Sequence, residues 1–187
     1  MTAETALARH AAHPAVPRAA RPAGRPAEPL APDAFKGVFR GHPAGVAVIA
    51  LDGGDRLVGF TATSVISVSA EPPLLAFSLA STSSSWPALR TARTVAVSFL
   101  AADQAEISSR FATSGIDRFA AGGWSALPTG EPVVDDAVAW VRGEVLQRTA
   151  VGRSYLVSLL ARDAVVHEGR EPLVYRDRTY HRLTNGT

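Results

Sequence analysis

The feature that most constrains the fold of this chain is a series of short β-type runs separated by turn residues instead of long helices. Residues 45–51 (GVAVIAL) and 56–61 (RLVGFT) flank the turn residues of 52–55 (DGGD), a pattern that predicts a hairpin. Five more runs with strand character follow, at 74–79, 95–100, 138–146, 155–160 and 173–175. Because the strands do not alternate with long helices, the sequence predicts an antiparallel barrel or sandwich rather than a doubly wound parallel sheet.

Two short helices are predicted between these strands. Ser85 precedes Pro87, which stands near a helix start where proline is tolerated, so we expect Ser85 to cap the first helix. Asp103 and Glu106 form an Asp-x-x-Glu capping box for the second helix, and Phe111 continues it with helical spacing. The expected fold class is therefore mainly β with short helices.

The first 32 residues differ in composition from the rest of the chain. They hold eleven alanines and six of the thirteen prolines, with few residues to bury, and so predict a flexible tail over 1–32. We interpret this tail as tolerated sequence without a function of its own. The rest, 33–187, is expected to be one domain, since 187 residues with 47% hydrophobic content supply one sizeable core and are too few for two full domains.

The charge pattern and the hydropathy exclude several partners. The net charge of +2 comes from the tail, which has four arginines and two glutamates, whereas the remainder is balanced at 15 basic and 15 acidic residues. Without a basic stripe and interleaved aromatics in the domain, we expect no nucleic-acid binding. No apolar run approaches the roughly 18 residues of a membrane span, and the chain has no cysteine, which fits a reducing cytoplasm.

Several reaction classes lack their central residues. The histidines are dispersed without a compact ligand spacing, so the sequence predicts no metal site. There is no Gly-x-Ser-x-Gly elbow, no Walker loop and no Gly-x-Gly-x-x-Gly motif after a strand, which argues against hydrolase and Rossmann-type activities. Asp135 and Asp136 are adjacent and would point to opposite sides of an extended chain, so a solvated turn is expected there.

Small hydroxyl residues form two clusters that could carry chemistry. Residues 61–64 (TATS) directly follow a predicted strand, and residues 81–85 (STSSS) lie between a predicted strand and the start of a predicted helix. Hydroxyl groups and free backbone N–H groups at a helix start can cradle a phosphate. Ordinary loop structure is the alternative interpretation of both clusters.

Short motifs follow one another in a definite order over roughly residues 35–183. They are GFTATS at 59–64, SVS at 67–69, EPPL at 71–74, SSSW at 83–86, RFA at 110–112, DRF at 117–119, GEPV at 130–133 and PLVY at 172–175. In this order they resemble the small flavin reductases that serve two-component monooxygenases. The run TSGIDRFA at 113–120 looks closest to actinobacterial members of antibiotic pathways, including enediyne clusters.

This resemblance implies a fold and a reaction. The family fold is a split β-barrel, antiparallel and Greek-key-like, that dimerises and binds FMN or FAD. In the family, NADH or NADPH gives a hydride to the flavin, and the reduced flavin then leaves to serve a separate monooxygenase. Because the flavin accepts the hydride itself, the resemblance implies positioning and exclusion of water but no catalytic side chain.

The resemblance also implies a set of flavin-binding residues. The ring and the ribityl chain would be lined by Gly59, Phe60, Thr61, Ala62, Thr63 and Ser64, and the wall would continue through Ser78, Leu79 and Ala80. Ser84 and Ser85 would meet the phosphate, and Arg110 and Phe111 would close the far side. The alternatives are a surface helix arginine at Arg110 and a core aromatic at Phe111.

One motif departs from the family pattern. Where Gly-Asp-His is common, this chain has Gly152, Arg153 and Ser154, so the histidine associated with nicotinamide binding is missing. Ser154 could hydrogen-bond a carboxamide and Arg153 could meet a dinucleotide phosphate, or both are ordinary turn residues. Two other functions therefore remain open: a flavoprotein that acts directly on a pathway intermediate, and a non-enzymatic ligand-binding protein on the same barrel.

Overall fold

The computed structural model describes residues 28–183, so most of the predicted tail, residues 1–27, lies outside the described residues. Three helices and twelve strands occupy the described part. In chain order they are α1 (Pro32–Arg40), β1 (Ala44–Gly45), β2 (Ala47–Asp52), β3 (Leu57–Ala62), β4 (Ile66–Ala70), β5 (Pro73–Ala80), α2 (Trp86–Leu89), β6 (Thr94–Phe99), α3 (Ala105–Ala112), β7 (Trp124–Ala126), β8 (Pro132–Val134), β9 (Ala139–Val151), β10 (Ser154–Val166), β11 (Leu173–Arg176) and β12 (Thr179–Arg182).

One large sheet dominates the architecture. Its seven strands lie in the order β3-β2-β6-β9-β10-β5-β4, and every neighbouring pair is antiparallel. A three-stranded sheet (β1-β11-β12) and the hairpin β7-β8 complete the described strands. The antiparallel, mainly β fold expected from the sequence is confirmed. No helix within residues 28–183 has both the length and the apolar character needed to cross a membrane.

The predicted hairpin at the start of the domain is confirmed. β2 pairs with β3 in a register that runs from Ala47 opposite Ala62 to Asp52 opposite Leu57. The turn is fixed by the Asp52 carboxylate, which accepts a hydrogen bond from the Gly54 N–H at 2.8 Å. Gly54 has φ +90°, a conformation that glycine adopts without strain.

Apolar side chains pack on both faces of the sheet. The inner face holds the barrel core, in which Ile49, Phe77 and Leu159 are fully buried. On the outer face of β2, a second apolar cluster joins the strand to α3, to the loop after it and to β11. Leu100, Phe111 and Leu173 are its most buried large residues. This second layer brings the loop that follows α3 over β3, where it forms one wall of the site described below.

The second predicted helix exists, but its predicted cap is wrong. Gln104, and not Asp103, occupies the N-cap position, and its side chain makes no capping hydrogen bond. The Gln104 amide accepts from the Ala101 N–H at 2.9 Å and donates to the Asp135 carbonyl at 2.7 Å. The Asp103 carboxylate pairs instead with Arg170 at 3.2 Å. Asp103 thus pairs with a residue distant in sequence instead of forming the predicted capping box.

Candidate functional site

A cavity of about 750 Å³ opens between β3, the segment before α2 and the loop that follows α3. Three parts of the chain that are remote in sequence therefore meet at one place. Its lining residues are Arg56, Leu57, Val58, Gly59, Ser84, Ser85, Gly115, Ile116, Asp117, Arg118, Phe119, Ala120 and Trp124. Its size is typical of a pocket for a small-molecule ligand or cofactor.

Arg118 is the half-buried cation of this cavity. Its Nε donates to the Thr113 carbonyl at 2.8 Å, and its Nη1 donates to the Gly59 carbonyl at 2.5 Å and to the Ser85 hydroxyl at 3.3 Å. These bonds fix the guanidinium plane beside the two serines of the cavity wall. The Nη2 group makes no hydrogen bond to any residue in the described range 28–183, so its N–H groups are available to a ligand.

The electrostatics of Arg118 favour an anionic ligand. Burial lowers the pKa of its guanidinium, which nevertheless stays protonated at neutral pH. Among the ion pairs between described residues, none involves Arg118. A desolvated cation without a carboxylate partner is costly on its own, whereas planar forked donors bind phosphate well. With the Ser84 and Ser85 hydroxyls in the same wall, the arrangement fits a phosphate group.

Gly59 allows this wall to form. A Cβ atom at Gly59 would lie 2.7 Å from Cε1 of Phe111 and 3.0 Å from Cζ of Phe119. The two rings pack edge to face, with centroids 5.0 Å apart, and both are buried. The glycine of the GFTATS motif is thus required for the close approach of α3 and its following loop to β3.

The segment that carries Ser84 and Ser85 is held by side chains rather than by a long helix. α2 has only four residues, too few to add an appreciable dipole to a phosphate site. Trp86 stacks on Tyr155 of β10 with ring centroids 3.6 Å apart. Arg148 of β9 donates from Nε to the Leu89 carbonyl at 2.8 Å and from Nη2 to the Ala92 carbonyl. These contacts place the serines without any role for helix polarity.

Hydrogen bonds and strand pairing join some of the residues predicted for the ring side. The Ser64 hydroxyl donates to the Ser78 carbonyl at 3.2 Å and accepts from the Ser78 N–H at 3.0 Å, which joins the end of β3 to β5. Ser81 donates from both its N–H and its hydroxyl to the Arg153 carbonyl at 3.0 Å. Ser154 is paired with Ala80. The turn at 152–154 therefore lies beside the end of β5.

Most of the other predicted residues of β3 and β5 point away from the cavity. Phe60, Ala62 and Leu79 belong to the barrel core. The Thr61 hydroxyl donates to the Ser108 carbonyl at 2.6 Å and thus ties β3 to α3, while Thr63 is exposed. Side chains alternate along a strand, so a motif of consecutive residues offers only every second side chain to one face.

Arg110 and Phe111 lie outside the cavity lining. Phe111 is 1% exposed, the core position that the sequence left open as an alternative. Arg110 Nη2 donates to the Gly122 carbonyl at 2.7 Å, and its Nε is buried without a hydrogen-bond partner. Arg110 therefore stabilises the loop that follows α3 through the Gly122 carbonyl. Arg118, which the sequence indicated only as part of the DRF motif, lines the cavity instead.

The chain matches a known protein family. The family model described as "Flavin reductase like domain" matches residues 39–184. The chain belongs to the flavin reductase-like family. The split-barrel fold expected from the motifs is thereby confirmed, and solved flavin reductases of similar structure share it.

Three similar proteins show the range of this family. An NADH:FMN oxidoreductase of Rhodococcus qingshengii is 43% identical over 155 residues, covering 80% of this chain and 81% of its own. The actinorhodin polyketide dimerase of Streptomyces coelicolor is 39% identical over 142 residues, covering 75% and 80%. The solved NADH:FAD oxidoreductase of Streptomyces globisporus, in complex with NAD and FAD fragments, has a TM-score of 0.79 at 27% identity, covering 85% and 98%.

Proposed function

We propose that this flavin reductase-like protein is an NAD(P)H:flavin oxidoreductase that supplies reduced FAD or FMN to a separate monooxygenase of a biosynthetic pathway. The observation that carries the proposal is the half-buried Arg118 guanidinium, which lacks an acidic partner among the described residues and faces a cavity with two serine hydroxyls. A flavin nucleotide supplies both the matching phosphate and the ring that accepts a hydride.

The residues of the chain bind and orient the nucleotide. Arg118, Ser84 and Ser85 hold the phosphate, since a guanidinium fork and short hydroxyls can donate to its oxygens at once. The ring lies beside the exposed Thr63 and Ser78 at the end of β3 and β5. Backbone groups and short hydroxyls orient its polar edge without introducing a competing charge.

The turn at 152–154 is the proposed nicotinamide side. The Arg153 carbonyl ties this turn to Ser81 at the end of β5, which supports a position near the proposed ring side of the site. Ser154 would hydrogen-bond the carboxamide and the exposed Arg153 would meet a dinucleotide phosphate. The chain holds the flavin and nicotinamide rings in contact and excludes water. Neither task requires an acid or a base.

The direct test follows the oxidation of NADH and of NADPH by their absorbance, with FMN, with FAD and without added flavin. Rapid oxidation that depends on flavin is the expected result. Flavin binding without any oxidation of either nucleotide would overturn the reductase function and leave a flavin-binding protein. Failure to bind flavin at all would leave only a ligand-binding barrel.

A second candidate is a flavoprotein that acts directly on a pathway intermediate. Two observations favour it: the missing histidine at 152–154, and a relative named as a polyketide dimerase. It predicts a stoichiometric flavin that is retained during purification and is not reduced by NADH or NADPH. The oxidation assay above separates the two candidates, since only the reductase turns over nicotinamide.

We further propose that the protein is a cytoplasmic homodimer. α1 buries none of its residues, and Phe35, Val38 and Phe39 are each more than half exposed. On the edge strand β4, Ile66 and Val68 are exposed as well. Apolar surface of this extent favours an interface over solvent. Sedimentation analysis should give twice the chain mass of 19.6 kDa, and a monomer at micromolar concentration would contradict the proposal.

A further inference from the structure

The cavity extends beyond its phosphate-binding wall. Arg118 bonds the carbonyl of Gly59, in the middle of β3, whereas the lining continues to Arg56, just before the strand. Since a strand rises about 3.3 Å per residue, Arg56 stands roughly 10 Å from Gly59 along β3. The proposed ring side, at Thr63, lies in the opposite direction along the same chain segment. The order along β3 is therefore ring side, phosphate wall and a further compartment.

FMN ends at its phosphate, and FAD continues from that phosphate to a second phosphate and an adenosine. A nucleotide placed with its ring near Thr63 and its first phosphate at Arg118 would leave the compartment near Arg56 empty if it were FMN. On the basis of the proposed function, we infer that this compartment is an adenylate subsite and that the protein binds FAD in preference to FMN.

The charge of the compartment suits the second phosphate. The Arg56 side chain is exposed and makes neither an ion pair nor a hydrogen bond with any residue of the described part of the chain. It lines the same cavity as Arg118. Arg118, which is bonded to Gly59, and Arg56, which precedes β3, thus line two parts of one cavity and can meet successive phosphates of a diphosphate.

The cavity also has apolar lining residues that suit a purine. Ile116 is 49% exposed although it lines the cavity, and Trp124 belongs to the same lining. The indole is fixed, because its Nε1 donates to the Phe119 carbonyl at 2.9 Å and its ring packs edge-on against Phe119 at 5.4 Å. A rigid aromatic group and an exposed aliphatic side chain in one cavity offer apolar surface on which a planar base can pack.

The preference is tested by titrating FAD and FMN separately into the full-length protein and into three variants. Arg56→Ala removes the second cation, Ile116→Ala removes the exposed aliphatic side chain, and the double variant removes both. Arg176→Ala is the control, because Arg176 is an exposed arginine of β11 outside the cavity. Circular dichroism before titration shows whether each variant is folded.

The wild type should bind FAD at least about tenfold more tightly than FMN. Each single substitution should weaken FAD binding about two- to fivefold, as for one exposed charge or a few methylene groups, and should change FMN binding less than about twofold. The double variant should lose the preference. The control should match the wild type for both nucleotides.

Equal affinities of the wild type for FAD and FMN would overturn the inference and leave flavin binding intact. A loss of FMN affinity in Arg56→Ala as large as the loss of FAD affinity would overturn it too, because Arg56 would then act on the shared phosphate. If neither nucleotide bound to the wild type, the proposed function itself would fail. The three results are therefore distinguishable in one set of titrations.

Discussion

Two regions of the molecule hold a half-buried arginine in different ways. Arg142 on β9 pairs with the buried Glu131 at 3.0 Å, and the side chains are 20% and 2% exposed. Arg118 in the loop after α3 donates to two carbonyls and a hydroxyl, and it has no acidic partner among residues 28–183. The first arrangement is electrically complete and serves the fold, whereas the second leaves a cation that the proposed flavin phosphate would pair.

From this comparison we predict that the region of the Arg142–Glu131 ion pair determines the stability of the fold. Arg142→Met would leave the Glu131 carboxylate buried without its cation, and we expect a loss of about 3 kcal/mol in the free energy of unfolding. The loss corresponds to a fall of roughly 10 °C in melting temperature. Chemical and thermal denaturation measure it, and the flavin affinity of the folded fraction should be unchanged. A variant as stable as the wild type would contradict the structural role of this pair.

A second prediction concerns the wall next to Arg118. Gly59→Ala places a methyl group against the rings of Phe111 and Phe119, and we expect the overpacking to cost about 2 kcal/mol. Flavin affinity should fall as well, because the Gly59 carbonyl holds Arg118. Gly45→Ala is the matched control, since a Cβ there would have no neighbour within 4 Å. Equal stability of the two variants would show that the wall is not tightly packed.

The acid dependence of stability sharpens the comparison. Burial raises the pKa of Glu131, but hydrogen bonds from Arg142, Thr129 and Thr94 outweigh that effect and hold the pKa below its ordinary value. A pKa that is lowered in the folded state stabilises the fold at pH values above the ordinary pKa of the group. This contribution is lost as the pH falls through the pKa of the folded state. Between pH 7 and pH 3, the free energy of unfolding measured with urea should therefore fall less for Glu131→Gln than for the wild type. The same loss in both would contradict the assignment.

The smallest effect is expected for an exposed pair. Arg162 and Glu144 form an ion pair with side chains 50% and 44% exposed. Arg162→Met should change the free energy of unfolding by no more than about 0.5 kcal/mol and leave flavin affinity unchanged. A loss as large as that of Arg142→Met would show that burial does not separate the two pairs, and the comparison would fail.

The sequence predicted the strands better than the ends of the helices. The first hairpin is local, and its turn residues and apolar runs suffice to predict it. The start of α3 depends on a contact that is distant in sequence, because Arg170, 67 residues away, binds the Asp103 carboxylate. The strands β4, β7, β8 and β12 were not predicted, since they are short and depend on partners elsewhere in the chain.

The site was predictable as a set of segments but not as a set of side chains. Gly59 shares a cavity with Ser84 and Ser85, and separate hydrogen bonds join Ser64 to Ser78 and Ser81 to Arg153. The union of these segments in one flavin site stays a prediction. Arg110 and Arg118 both precede a phenylalanine, and nothing in the sequence shows which guanidinium faces a cavity. The packing of α3 on β3 decides it by turning Arg110 toward Gly122 and leaving Arg118 beside Ser85.

The measurement that tests the central claim most directly compares the binding of FMN with that of riboflavin, which lacks the phosphate, in the wild type and in Arg118→Met. Arg118→Lys, which keeps the charge and loses the fork, and circular dichroism serve as controls. We expect the wild type to bind FMN at least about tenfold more tightly than riboflavin, as for a charge-assisted hydrogen bond. Arg118→Met should lose that advantage and bind riboflavin like the wild type. Equal affinity of the wild type for the two ligands, or an undiminished preference in folded Arg118→Met, would contradict the account.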